Sequence, residues 1–500
     1  MNKGKICISI CATTAEEFFE KIGRAEPLAD VIELRFDCVR PSEIDLVFDN
    51  LPQIPGKYLI TYRSSEQGGK RVLPLSERIK FWSKAFTKFN AVDYFVDHET
   101  DIDFPLAFPK ERSIVSSHYF ERLRKNSSVS YEALADLSDR IAKIAVSCSD
   151  ITDSIPVWSL LNQTEDTAII PIAMGEAGKW TRILGLAHGA FMTYATLDAD
   201  GATAPGQITA ADMIDVFRVK ELDRETEVFG IVAGNTTYSM SPYIHNSAFK
   251  EAGMNRVFVP LQVADLGEFM RRMVNSETRE VELNFHGFSV TNPHKQAIIP
   301  FLDELDETAQ AVGSVNTVKI HDGMLLGYNT DASGFIRPLL DAFGDIKGAR
   351  AAVFGAGGAA RACIYALKKE GAEVTVFARD ISKATALAED FGVRHEPLST
   401  ENRQLKTDIL INATPLGTLG PTENDTVASA EQLADVKLVY DLIYNPEETR
   451  LICEAKAAGC KTLGGLDMLI GQAVRQFEVW TDETPSRETM EAAARKRMSA

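Results

Sequence analysis

Between residues 5 and 218, short apolar runs alternate with segments of helical period, and the pair recurs eight times. The runs occupy 6–11, 31–36, 58–62, 94–96, 113–116, 142–147, 168–173 and 191–196. Runs this short, separated by amphipathic helices, predict parallel strands joined by right-handed crossovers. Eight in succession predict a closed (β/α)8 barrel. The fourth unit has the weakest pattern, with a helix that is short or missing from Phe104 to Lys110. The polar segment 220–227 then ends the series, and a new apolar run starts at Val228. Within this second α/β region, Ala351-Ala-Val-Phe-Gly-Ala-Gly-Gly-Ala-Ala-Arg361 has the strand, glycine-rich turn and helix order of a Rossmann start.

A lysine interrupts the sixth of these runs. Lys143 lies inside Ile141-Ala-Lys-Ile-Ala-Val-Ser147, where a strand would bury it on either face. Desolvation lowers a lysine pKa, and a neutral amine can attack a carbonyl to form a Schiff base. A lone lysine more often snorkels to water. Lys143 has company, however, because barrel enzymes carry their reacting groups where strands end. There the chain places Glu33, Arg35 and Asp37, then Arg63, His118, Arg182, Thr203 and Gln207. Three arginines and a lysine at one mouth repel one another unless an anion lies between them, which implies a substrate bearing carboxylate and hydroxyl groups. His118, with an ordinary pKa near neutrality, suits proton transfer beside an imine.

Composition narrows the role. The formal charge of -18 argues against a general nucleic-acid or anionic-membrane function, so anionic ligands must be held by local Arg and Lys. The seven cysteines show no CxxC pair and no zinc-ligand spacing, which predicts free thiols in a reducing compartment and no metal. No stretch approaches eighteen apolar residues and the first residues lack signal or transit character, so a cytoplasmic protein is expected.

The segments ELRFD, TYR with Gly68-Gly69, SSHYF, AKIAV, MGEAGKWTR and TAPGQ resemble the type I 3-dehydroquinate dehydratases across residues 5–218. The resemblance implies a Schiff base at Lys143, proton transfer by His118, and substrate binding by Glu33, Arg35, Arg63, Arg182, Thr203 and Gln207. Gln67 stands where that family often has a glutamate, and Thr203 where serine is common.

Downstream, GNTTYSMSP, SVTNPHK, GSVNT, NTD, NATPLG, YDLIYNP and GGLDMLIGQA resemble the shikimate dehydrogenases from 228 to about 485. This implies Ser239, Ser241, Thr291, Asn316, Tyr444 and Gln472 on substrate, with Lys295 and Asp331 at the reacting carbonyl. Gly355, Ala356, Gly357, Gly358, Ala359, Arg379, Asn412, Thr414 and Gly465 are the expected cofactor contacts. Arg379 ends its strand where an acidic residue would hold a ribose hydroxyl, which favours NADP, although Asp380 follows and Ala378 replaces the usual asparagine.

The expected domains are the barrel over 1–219, a substrate-binding domain over 226–336 plus 466–490, and a Rossmann NADP domain over 337–465. The implied protein is bifunctional and binds only small molecules, as a monomer or homodimer. It dehydrates 3-dehydroquinate without a cofactor and reduces the product with NADPH. Two rivals are a second half acting on quinate with NAD, and a metabolite-sensing regulator without activity. A regulator should have lost its reacting groups, whereas Lys143, His118, Lys295 and Asp331 are all present.

Overall fold

The computed structural model describes residues 2–51, 57–88, 94–99, 102, 109–120, 140–163, 167–397 and 405–499. Contacts between Cα atoms divide the chain into two compact units: 1–230 with 235–239 and 255–285, and 231–234 with 240–254 and 286–500.

The first unit contains the eight expected parallel strands: β1 (Lys5–Ile10), β2 (Val31–Arg35), β3 (Tyr58–Thr61), β4 (Phe95–Glu99), β5 (Ser113–Tyr119), β6 (Ile141–Ser147), β7 (Ile169–Met174) and β8 (Met192–Thr196). They are ordered β7-β6-β5-β4-β3-β2-β1-β8, and the short β9 (Ile208–Thr209) extends β8. Phe191 closes the ring, since its N–H donates to Ile169 of β7 at 2.8 Å and its carbonyl accepts from Lys5 of β1 at 3.1 Å. Alternation along β6 sends Ile141 and Ala145 into an interior cluster with Cys7, Val31, Leu59 and Ile170. The intervening Ala142, Ile144 and Val146 face outward onto Val157 and Leu160. The weak fourth helix expected from Phe104 begins outside the described residues.

One expectation fails in this unit. Cys11 and Cys38 form a disulfide, and the other five cysteines are not bridged. Cys11 follows β1 and Cys38 closes the turn after β2. The β1–β2 register, with Cys7 opposite Val31, carries both turns to one place. A linear separation of 27 residues does not reveal that proximity.

After β10 (Glu227–Ala233) and β11 (Arg256–Gln262) come β12 (Phe285–Val290), β13 (Glu304–Leu305), β14 (Thr317–His321) and β15 (Met324–Tyr328). Within the second unit, β12, β14, β15 and β13 are neighbours in that order. The same unit holds β16 (Arg350–Phe354), β17 (Glu373–Ala378), β18 (Arg394–Pro397), β19 (Ile409–Asn412), β20 (Leu438–Asp441) and β21 (Lys461–Leu463). These form a parallel sheet ordered β18-β17-β16-β19-β20-β21, the doubly wound arrangement the glycine-rich turn predicts. The helices Asp331–Phe343 and Gly465–Thr481 cross closely because a Cβ on Gly334 would lie only 2.7 Å from the Gln472 nitrogen. Among the described residues no helix is long and apolar enough to cross a membrane.

Candidate active sites

Lys143 shares the inward face of β6 with Ile141 and Ala145, so its amine enters the barrel. Its Nζ donates to Asp97 Oδ2 at 2.8 Å, lies 3.9 Å from Glu33 Oε1 and sits 4.0 Å from the centre of the Tyr194 ring. Asp97 also accepts from Ser116 Oγ at 2.6 Å and forms an ion pair with Arg63 Nη2 at 2.6 Å. Arg63 Nη1 in turn meets the His118 ring, 3.1 Å from Nδ1 and closer to Nε2. Guanidinium has only donors, so the imidazole accepts and is neutral.

The electrostatics follow from this crowding. Burial, joined by the charges of Arg63 and Lys143, holds His118 well below its ordinary pKa. Burial and then Arg63 also lower the Lys143 pKa, against the opposing pull of Asp97 and Glu33. For Asp97, burial favours the neutral acid, but Arg63 and Lys143 outweigh it and keep the carboxylate ionised. The barrel thus holds an easily neutralised amine beside an imidazole free to accept a proton.

The surrounding side chains are fixed. Glu33 accepts from Ser9 Oγ at 2.5 Å and Thr61 Oγ1 at 2.9 Å, while Arg35 forks onto Asp37 with two bonds of 2.8 Å. Arg182 is different. It is 3% exposed, reaches only the Tyr194 carbonyl at 3.5 Å, and has no carboxylate partner among the described residues. Burial lowers its pKa to about 10. A buried guanidinium without a counter-charge is a receptor for an anion. Gln207 Oε1 accepts from Thr203 N at 2.7 Å, which holds that loop in place. The eight barrel residues expected from the sequence all line one cavity of about 190 Å³. Asp97 and Tyr194 were not anticipated. The apolar run of the fourth strand ends at Val96 in the sequence, and the polar Asp97 that follows reads as a loop. Gln67 Oε1 accepts from the backbone N–H of His118, at 3.1 Å.

The second unit gathers another set. Lys295, on the short helix His294–Ala297, pairs with Asp331 at 2.5 Å. Asn316 Nδ2 donates to Asp331 Oδ1 at 2.8 Å and Thr330 Oγ1 at 2.9 Å, and lies 3.5 Å from Gln472 Oε1. The Gly334 helix crossing makes the last approach possible. Ser241 begins the helix Ser241–Glu251, with half-buried Ser239 just before it. Thr291 follows β12. Tyr444 is half-buried after β20, and burial raises its phenol pKa.

The nucleotide turn adjoins Lys295, since a Cβ on Gly358 would come within 3.0 Å of Lys295 Cδ. Gly355 adopts φ +121°, and a Cβ there would meet the Ala413 carbonyl at 2.8 Å. From Gly355 through Ala359 the chain enters the helix Gly358–Lys369, whose first N–H groups suit a phosphate. Asn412 lies beneath the turn that carries Thr414. It is fully buried, bonded to Asp441 Oδ1 at 2.9 Å and to Thr414 N at 3.0 Å, so it shapes the Thr414 turn from behind. Gly465 is obligatory because a Cβ would lie 2.2 Å from the Leu442 carbonyl. Arg379 is exposed at the end of β17, whereas Asp380 accepts from Lys383 N at 3.1 Å and caps the helix Ile381–Phe391. The residue that tempered the NADP expectation is therefore occupied as a helix cap, and the glycine cradle with Arg379 fits a 2′-phosphorylated dinucleotide.

Family models match successive stretches of the chain. Residues 6–224 match the model of type I 3-dehydroquinase. Residues 231–318 match the shikimate dehydrogenase substrate binding domain, 339–444 the shikimate / quinate 5-dehydrogenase, and 465–495 the shikimate 5'-dehydrogenase C-terminal domain. The chain is 32% identical to the chloroplastic bifunctional 3-dehydroquinate dehydratase/shikimate dehydrogenase of Arabidopsis thaliana, over 96% of this chain and 82% of that protein. It is 38% identical to the shikimate dehydrogenase (NADP(+)) of Methanocaldococcus jannaschii, over 54% of this chain and 97% of that one. A crystal structure of a shikimate dehydrogenase in complex with NADP+ aligns with TM-score 0.51 at 37% identity, covering 56% of this chain and 98% of that one.

Proposed function

The chain belongs to the family of bifunctional 3-dehydroquinate dehydratase/shikimate dehydrogenases, and from that premise we propose how its residues divide the work. The protein is a lyase and an NADP-dependent oxidoreductase of the shikimate pathway. It dehydrates 3-dehydroquinate to 3-dehydroshikimate, then reduces that ketone to shikimate.

In the barrel, the Lys143 amine attacks the ketone carbon, and the oxygen leaves as water to give an iminium. The iminium withdraws electrons from the neighbouring C–H, so neutral His118 takes that proton and returns it to the departing hydroxyl. Arg182 holds the substrate carboxylate, while Glu33, Arg35, Arg63, Thr203 and Gln207 orient the ring and its hydroxyls. The observation that carries this reading is the Lys143 amine, buried and within reach of a neutral His118 through Arg63 and Asp97. Borohydride with 3-dehydroquinate, followed by peptide mass mapping, tests it. A reduced adduct on Lys143 is expected, and an adduct elsewhere or none defeats the imine mechanism.

In the second half, Ser239 and Ser241 take the substrate carboxylate, Thr291, Asn316 and Gln472 its hydroxyls, and Tyr444 adds a further contact. Lys295, oriented by Asp331, donates a proton to the alkoxide oxygen as it forms. NADPH, when bound, supplies the hydride. The Gly355–Ala359 turn, Arg379, the Thr414 turn braced by Asn412, and Gly465 would hold it. Steady-state kinetics with both cofactors and both substrates test this assignment, and higher efficiency with NAD and quinate overturns it.

The proposed division is 1–219, 226–336 with 466–490, and 337–465, supported by the spans of the family matches. We further propose a cytoplasmic location, which five unbridged cysteines favour and the Cys11–Cys38 disulfide opposes, and a monomer or homodimer, which sedimentation distinguishes.

A further inference from the structure

The Schiff-base reading gives Asp97 no task, yet Asp97 is the residue nearest the reacting nitrogen. It is 1% exposed on β4, and its Oδ2 faces both Lys143 Nζ at 2.8 Å and Arg63 Nη2 at 2.6 Å. Its Oδ1 is anchored by Ser116 on the adjacent strand at 2.6 Å. From the surrounding strands Lys143 also faces Cys7, Glu33, Arg63, His118 and Tyr194. Of these neighbours, Glu33 is the other carboxylate, and it stands farther off at 3.9 Å.

We propose that Asp97 is the fixed counter-ion of the reacting nitrogen, serving the ammonium of free Lys143 and the iminium that replaces it. The inference rests on the Schiff-base reading. In the overall step, an ammonium and a ketone become an iminium and water. The C–N bond forms, the C–O bond breaks, two of the three ammonium hydrogens leave in the water, and the third stays on nitrogen. Positive charge at that position is therefore the same before and after. One immobile carboxylate matches both states without reorganising, as a preorganised charge should among buried side chains. The same oxygen neutralises the arm of Arg63 next to the one that meets His118. Asp97 thereby spares the imidazole an uncompensated cation and links nucleophile to base.

The test combines three variants with the pH profile of single-turnover borohydride trapping. Asp97→Asn removes the charge and keeps the shape. It should shift the acid limb of trapping to lower pH, because the amine loses the partner that favours its protonation. It should also cut the trapped iminium at saturating substrate at least tenfold. Ser116→Ala removes a donor to Asp97, leaves its charge less compensated, and should shift the limb the opposite way, to higher pH. Asp97→Glu should restore the wild-type limb in part. Opposite shifts are not the signature of loosened packing. If the wild-type protein traps on Lys143 but Asp97→Asn keeps its limb and yield, the counter-ion role is wrong and the imine reading stands. If the wild-type protein does not trap at all, the imine reading itself has failed. Should Asp97→Asn unfold the barrel, as judged by circular dichroism, the Ser116→Ala shift alone decides, and its absence overturns the proposal.

Discussion

Gln67 shows how much one atom can matter in a barrel whose charges are so closely balanced. As an amide it accepts the backbone N–H of His118, near the ring, without adding charge. A carboxylate at that place would oppose the burial and the Arg63 field that hold His118 low. Gln67→Glu should therefore raise the His118 pKa and move the acid limb of dehydratase kcat/KM to higher pH. A profile that does not move would show that the side chain is too far from the ring to matter. The candidate residues of this site were legible where a charge interrupts an apolar run, as at Lys143 and Arg35, or follows one, as at Arg63. Asp97 was not legible, because a carboxylate inside a barrel becomes tolerable only when cations from other strands meet it, and those partners are distant in sequence.

The same limit separates legible from illegible elements. Apolar period alone marked the eight barrel strands, while the length of β4 depended on pairing with β5 that carries the strand on through Glu99. Helix crossings depend likewise on distant partners. Gly334→Ala would drive a Cβ to within 2.7 Å of the Gln472 backbone and prise apart the helices that present Asp331 and Gln472. Overpacking of this kind costs about 1–3 kcal/mol. Thermal unfolding should show that loss, with reductase activity falling and dehydratase activity retained. The helix Ser241–Glu251 meets Gly465–Thr481 through His245, whose ring bonds to Gln476 at 3.1 Å. Burial lowers its pKa to about 3. Because the unfolded chain binds the proton first, stability is full above about pH 6.5 and declines as pH falls from there toward 3. At pH 5 the loss is about 2 kcal/mol for this histidine. His245→Asn should flatten the acid limb of melting temperature, and an unchanged slope would assign that limb to other groups.

At the scale of the whole molecule, the two lysines proposed to react lie in separate units of one chain, and their proposed chemistries share no group. Lys143→Ala should abolish dehydration and leave reduction intact, and Lys295→Met should do the converse. Assays of both half-reactions on each variant check this, and loss of both activities in either would mean that the units do not function independently. The two-family organisation was legible because each half carries its own periodicity and its own motifs. The Cys11–Cys38 bridge was not, because it depends on strand register. Arg182 has a consequence that belongs to the resting protein. With no carboxylate beside it among the described residues, its buried charge carries a cost that a bound anion relieves, so the ligand acts as part of the folded core. Small hydroxylated carboxylates should raise the barrel's melting temperature well above what the matching neutral amides achieve. In Arg182→Met that difference should vanish, while the unliganded protein melts no lower than wild type. A cell with little substrate would then hold this enzyme in its least durable form, and the flow of metabolite would itself extend the protein's lifetime.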